Sequence, residues 1–152
     1  MSPPENSSVQ RPLIGEILVK RNLITEKQLK EALQLQEKEK EFVGEILVKL
    51  GYLQERDIVV ALVVQCGFPY IAVNKYDIDL EVIKLVPEEL ARSLHVIPLD
   101  RVGNVLSIVM TNPLNQPMKD QLEQITGCRI ATFITTRSEL NEALARFYRK
   151  GK

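Results

Sequence analysis

A chain of 152 residues, 45% of them apolar, with 20 basic and 20 acidic side chains, holds enough apolar material for one domain or two very small ones. The charge is even along its length, 9 basic and 10 acidic residues before position 70 and 11 and 10 from there on, which argues against capture of nucleic acid or an anionic lipid surface. A single histidine excludes a multi-histidine metal site. With no G-x-G-x-x-G stretch, and the sole Gly-Lys pair at Gly151-Lys152, an autonomous ATPase is not expected.

Residues 1–10 read as a disordered tail, without the basic and apolar regions of a secretory leader, so the chain is expected to be cytoplasmic and reduced. Residues 11–67 form a tandem repeat. The string GEILVK stands at Gly15 to Lys20 and again at Gly44 to Lys49, an offset of 29 that also carries Leu29 onto Ile58, Ala32 onto Ala61, Leu33 onto Leu62 and Gln36 onto Gln65. Ile14, Ile17 and Leu18 are spaced i, i+3, i+4, as are Leu29, Ala32 and Leu33, so each copy is predicted to be a helix, a turn and a helix. Asn22 and Gly51 suit the left-handed turn that ends each first helix, and Thr25 with Gln28 suits a capping box opening the second. Between the copies, Glu37 to Glu41 is either a solvated helix end or a short connector.

Two features of the repeat carry two readings each. Gln36 and Gln65 fall where the apolar stripe calls for an aliphatic residue; such an amide either bonds backbone at a helix end or faces a ligand. Gly15 and Gly44, near helix starts, either permit close helix packing or leave backbone N–H groups open to an anion, although Glu16 and Glu45 beside them disfavour a phosphate.

Gly67-Phe68-Pro69 ends the helical pattern, and Cys66 and Cys128 are read as small core residues. The run Ile58 to Val64 is far short of the ~18 apolar residues of a spanning helix. Residues 68–79 read as an ordered connector and 80–150 as a small α+β unit. A short helix is predicted over Leu80 to Leu85, and a second through Ser93 with Pro87 in its first turn. Strands follow at His95 to Leu99, Val105 to Met110 and Arg129 to Ile134, the first two joined as a hairpin across Gly103-Asn104. A helix from Asn115 to Gly127 turns Leu114, Met118, Leu122 and Ile125 to one side. A last helix, opened by Thr136 and Glu139, turns Leu140, Ala143, Leu144 and Phe147 inward. His95 is read as structural, and Asn115 as an N-cap. The basic residues from Arg146 to Lys152 suit a helix C-terminus. The fold class is α+β: a four-helix unit of two helix-turn-helix repeats, then a small three-stranded sheet packed with helices.

This order of elements, with tandem L-G-x-x-L-like helix pairs ending in Gln, then P-E-E-L-A-R, I-P-L and T-N-P-L-N, resembles the N-terminal region of the ATPases of type II secretion and type IV pilus assembly, including its cyclic-di-GMP-binding subclass. The resemblance covers about residues 11 to 148. The subclass has two 24-residue motifs five residues apart, which fall here on Leu13 to Gln36 and Phe42 to Gln65. It implies ligand-binding positions at Arg11, Leu13, Ile14, Gly15, Leu18, Leu29, Leu33 and Gln36 in the first copy. In the second it implies Phe42, Val43, Gly44, Leu47, Ile58, Leu62 and Gln65.

The departures are Leu13 and Phe42 where the motif has arginine, Asn22 for a glycine, and Asn112-Pro113-Leu114-Asn115 without the carboxylate of a D-P-L-N turn. The resemblance implies a non-enzymatic regulatory and docking module with cyclic-di-GMP as ligand and no cofactor or metal. Its implied partners are a motor ATPase domain, absent from this chain, and the cytoplasmic domain of an inner-membrane platform protein. Neither nucleic-acid binding nor direct membrane insertion is implied; membrane association runs through the partner. The rival reading keeps the platform partner and drops the nucleotide. The chain is either a fragment of such an ATPase or acts separately.

Overall fold

The computed structural model describes residues 14–39 and 42–148. The tail at 1–10, Arg11, Leu13, the end of the EKEKE segment and Arg149 to Lys152 lie outside the described residues. The chain divides into two compact units, Met1–Gly67 and Phe68–Lys152.

In the first unit, α1 (Ile14–Lys20), α2 (Glu26–Glu39), α3 (Val43–Lys49) and α4 (Glu55–Cys66) give the repeat its two helix pairs. Each short helix packs against the long helix of its own copy and that of the other, and α1 also meets α3. The GEILVK strings therefore lie back to back at the centre of the unit. Ile17, Leu18, Ile46 and Leu47 are buried there, with Ala32, Ala61 and Leu62 supplied by the long helices. Asn22 (φ 64°) and Gly51 (φ 85°) hold the left-handed turns that the sequence assigns to them. The predicted capping box is present: the Gln28 backbone N–H donates to Thr25 Oγ1 (3.1 Å) and the Thr25 N–H to Gln28 Oε1 (2.9 Å). Its counterpart in the second copy, Gln54 with Asp57, lacks the Ser/Thr signature and was not anticipated. α2 continues through Glu39, so the EKEKE segment begins as helix.

In the second unit a 3-10 turn (Val73–Lys75) and two short helices, α5 (Leu80–Ile83) and α6 (Glu88–Leu94), lead into the sheet. Strands β1 (Val96–Val102) and β2 (Val105–Met110) form an antiparallel hairpin whose register shifts between Pro98 and Asp100. Helix α7 (Gln116–Thr126) crosses over to β3 (Arg129–Ile134), which pairs parallel with β2, and α8 (Arg137–Phe147) follows. The core joins β2 and the start of β1 to Met118, Leu122, Cys128, Leu140, Ala143 and Leu144.

Four local expectations change. Pro87 is the N-cap of α6 and not a first-turn residue. His95 is the left-handed C-cap of that helix (φ 58°), so β1 begins one residue later than expected and extends to Val102. Ile125, in the last turn of α7, is 47% exposed, although the spacing set it on the side of Met118 and Leu122. Leu33 is 43% exposed despite its place in the apolar stripe.

The connector belongs to the second unit. Tyr70 bridges to Ile134 in parallel, with the Ile71 N–H donating to the Ile134 carbonyl (3.0 Å) and the Ile134 N–H to the Pro69 carbonyl (2.9 Å). One face of α8 fastens the stretch beyond. The Tyr70 hydroxyl donates to Glu139 Oε2 (2.6 Å), Asn74 Nδ2 to Glu142 Oε1 (2.7 Å) and Arg146 Nη2 to Asp77 Oδ1 (2.7 Å), rungs at helical spacing.

Candidate functional site

The repeat glycines are positioned by packing. A Cβ on Gly15 would lie 2.6 Å from Leu29 Cδ1, and one on Gly44 would lie 2.9 Å from Ile58 Cδ1. Leu29 and Ile58 are equivalent residues, so both copies use one contact in which a long helix seats a methyl group on a short helix's bare backbone. Of the two glycine readings, the geometry supports close helix packing. In the second copy Phe42, at a motif arginine position, completes the seat: its Cε2 would be 3.2 Å from that Cβ.

The family-implied positions separate by burial. Ile14, Gly15, Leu18, Val43, Gly44, Leu47, Ile58 and Leu62 are buried, because the helical period that aligns them also turns them into the contact between copies. Leu29, Gln36 and Phe42 are half-buried, and Leu33 and Gln65 are exposed. Gln65 thus leaves the buried stripe in which the sequence placed it.

A groove of about 690 Å³ opens between α1 and α2 of the first copy. Val19, Leu29 and Leu33 give it an apolar floor, Lys20, Lys27 and Lys30 a basic rim, and Glu16 and Glu26 two carboxylates. The volume falls within the ~300–1,000 Å³ usual for small-molecule sites, and a mixed-charge rim over an apolar floor suits a planar base bearing an anionic group. Lysines on a polar helix face carry no distinguishing sequence signal, which is why the rim escaped sequence reasoning. Two counterpart positions in the second copy are more buried: Leu62 is 1% exposed where Leu33 is 43%, and Glu45 is buried where Glu16 is exposed.

The other chemistry-bearing residues serve the fold. His95 Nε2 lies 3.3 Å from Arg137 Nη2. Asn112 and Asn115 accept from the backbone N–H groups of Leu114 (3.3 Å) and Met118 (3.1 Å), the capping roles expected of a turn before a helix. Burial disfavours ionised Glu139, yet hydrogen bonds from Tyr70, Thr135 and Thr136 hold its carboxyl below the usual range. Burial, then the bond to Glu139, raises the Tyr70 phenol to about 12. The Tyr148 phenol is also raised, by burial and by Glu88; its hydroxyl lies 2.8 Å from the Val86 carbonyl oxygen and 3.2 Å from that of Ile83. Among the described residues no group of three His, Cys, Asp or Glu side chains is placed to hold a metal ion, and no helix is long and apolar enough to cross a membrane.

Comparison with known proteins places this geometry. The MshEN domain family matches residues 66–152. The type IV pilus assembly ATPase PilB of Myxococcus xanthus is 36% identical over 135 residues, covering 89% of this chain and 24% of that protein. PilB of Thermus thermophilus is 31% identical over 137 residues, covering 89% and 15%. The chain thus spans a quarter or less of the length of these curated relatives. Among solved structures, MshE with cyclic-di-GMP superposes with a TM-score of 0.73 at 27% identity, over 91% of this chain and 100% of that one. The N-terminal domain of XpsE superposes at 0.74 over 89% and 93%, and at 20% identity it shows the shared fold. With over half its length matched by the family and its α+β fold shared with these structures, the chain belongs to the MshEN domain family, the N-terminal region of type II secretion and type IV pilus assembly ATPases.

Proposed function

We propose that this domain is a non-enzymatic regulatory and docking module that binds cyclic-di-GMP through its helical repeat and acts on a pilus or secretion motor. The observation that carries the reading is the open groove of the first copy, apolar below and mixed in charge above, within a repeat shared with a relative solved with that nucleotide. A guanine base packs on the aliphatic floor of Leu29 and Leu33, on the helix that also carries Gln36. Binding alters the motor only insofar as the ligand favours one arrangement of the domain over another. The α+β unit serves the partners, a motor ATPase domain and the cytoplasmic domain of an inner-membrane platform protein, so the domain works in the cytoplasm against the membrane face. Calorimetric titration with cyclic-di-GMP tests the reading: saturable heat weakened by Gln36→Ala supports it, and no heat with no competition removes it.

A second reading, platform docking without any nucleotide, is favoured by one observation: Phe42 occupies a motif arginine position and packs against Gly44. Pull-down of the platform domain with and without cyclic-di-GMP separates the two, since coupling between ligands must be reciprocal.

A further inference from the structure

Every residue of α4 from Ile58 to Val64 is apolar, so the middle of this helix is hydrophobic on all sides, yet only one side of it enters the core. Ile58, Ala61 and Leu62 are buried, while Val60, Val63 and Val64 on the opposite side are 43%, 38% and 59% exposed. Positions 56, 60, 63 and 67 succeed one another at helical spacing, so Arg56 heads this outer stripe and Gly67 closes it. The first copy keeps the same places polar: α2 has Lys30, Glu31 and Gln34 where α4 has Val59, Val60 and Val63, although the inward residues are matched between the copies. Valine is the poorer helix former of each pair, and a solvated face gains nothing from the exchange.

We propose that the outer stripe is a self-association surface, on which α4 of one chain pairs antiparallel with α4 of a second copy about a two-fold axis. Charge selects this occupant. Arg56 sits in the first turn, at the positive end of its own helix, and makes no ion pair or hydrogen bond among the described residues. At the other end α4 has no basic residue in its last turn, whereas α2 has Lys38, whose counterpart is Gly67. An antiparallel pair answers both deficits: each Arg56 meets the carbonyl end of the other copy's α4, and between them Val60 of each chain packs on Val63 of the other.

The direction follows from distance. In the antiparallel pair the two arginines stand 11 residues apart along the axis, about 16 Å, beyond the ~8 Å over which salt screens a charge. A parallel pair sets them side by side at the ~8–10 Å between packed helices, with the two dipoles aligned. No charge interrupts the stripe between Arg56 and Gly67, so nothing on it repels a second copy. One helix pair buries less than the ~1,200 Å² of a stable interface, so the association is weak and depends on concentration.

Sedimentation equilibrium of the full chain from about 10 μM to about 1 mM tests this. The average mass is expected to rise from the 17.3 kDa of one chain toward twice that value. Val60→Glu and Val63→Lys should each weaken association at least about tenfold, Arg56→Glu about three- to tenfold, and Gln34→Glu on the polar face of α2 should leave it unchanged. An equal mixture of Val60→Glu and Val63→Lys chains should associate again, because the introduced charges meet across the antiparallel register; a mixture of Val60→Glu and Val63→Glu should not. Glutamate and lysine are better helix formers than valine, and circular dichroism checks that each variant is folded. A chain that stays monomeric at 1 mM, stripe variants that associate like the parent, or a charge-matched mixture that associates no better than the like-charged one overturns the proposal.

Discussion

Replacing each repeat glycine by alanine separates the two copies energetically. At Gly15 the new Cβ meets Leu29 Cδ1 at 2.6 Å, and at Gly44 it meets Ile58 Cδ1 at 2.9 Å, so distance alone ranks Gly15→Ala as the worse change. The surroundings reverse that order. Leu29 is half-buried beside an open groove and can swing its methyl groups aside, whereas Ile58 is buried and Phe42 presses on the same point from 3.2 Å. Overpacking in a closed site costs ~1–3 kcal/mol, against a helix-propensity gain of at most ~1 kcal/mol that is equal at the two positions, each second in its helix.

Gly44→Ala is therefore expected to destabilise by about 1–2 kcal/mol, and Gly15→Ala to stay within about 0.5 kcal/mol of the parent. Urea unfolding followed by circular dichroism measures both. Ile58→Val removes the obstructing Cδ1; alone it costs ~0.5–1.5 kcal/mol, but in the Gly44→Ala background it should cost nothing, an interaction energy near 1 kcal/mol. If Gly15→Ala proves the more damaging change, or if the double variant is simply additive, the argument from confinement is wrong.

Other predictions concern stability and pH. Thr25→Ala removes the oxygen that accepts from the Gln28 N–H and should cost ~1 kcal/mol in chemical denaturation, while Thr25→Asn restores most of it. Tyr148→Phe leaves the Val86 and Ile83 carbonyls without their phenolic donor in a buried place and should cost ~1–2 kcal/mol, whereas Tyr52→Phe, whose bond to Glu31 is exposed, should change stability by less than ~0.5 kcal/mol. The folded-state pKa of Glu139 is depressed, so its contribution is present above the unfolded value near 4.5 and is lost as pH falls through the folded value. Glu139→Gln should thus flatten the decline in stability below about pH 4.5; an unchanged acid limb in thermal melts would refute the assignment.

How much of this was legible beforehand depends on whether a feature is local. The capping boxes at Thr25 and Thr136, the left-handed turns at Asn22 and Gly51, and the Asn115 and Gly127 limits of α7 were readable because each is fixed by chemistry within four residues. The repeat was legible because identical strings bury identical faces. The parallel pairing of β2 with β3 could not be read from the strands themselves, since their apolar runs do not encode direction. Which of the two equivalent leucines would be exposed was equally hidden. Leu33 and Leu62 are the same residue in the same pattern, and only tertiary surroundings distinguish them. Gln36 and Gln65 show the same limit: they hold equivalent places in the pattern, and one is half-buried while the other is exposed.

The three rungs from α8 to the connector have a mechanical consequence. A tug on the chain at Gly67 arrives first at Pro69 to Ile71, which is hydrogen-bonded to the end of β3, and then meets Glu139, Glu142 and Arg146 in turn. Load is shared along a helix side and a strand end, so this boundary should hand force to the sheet before the connector frays.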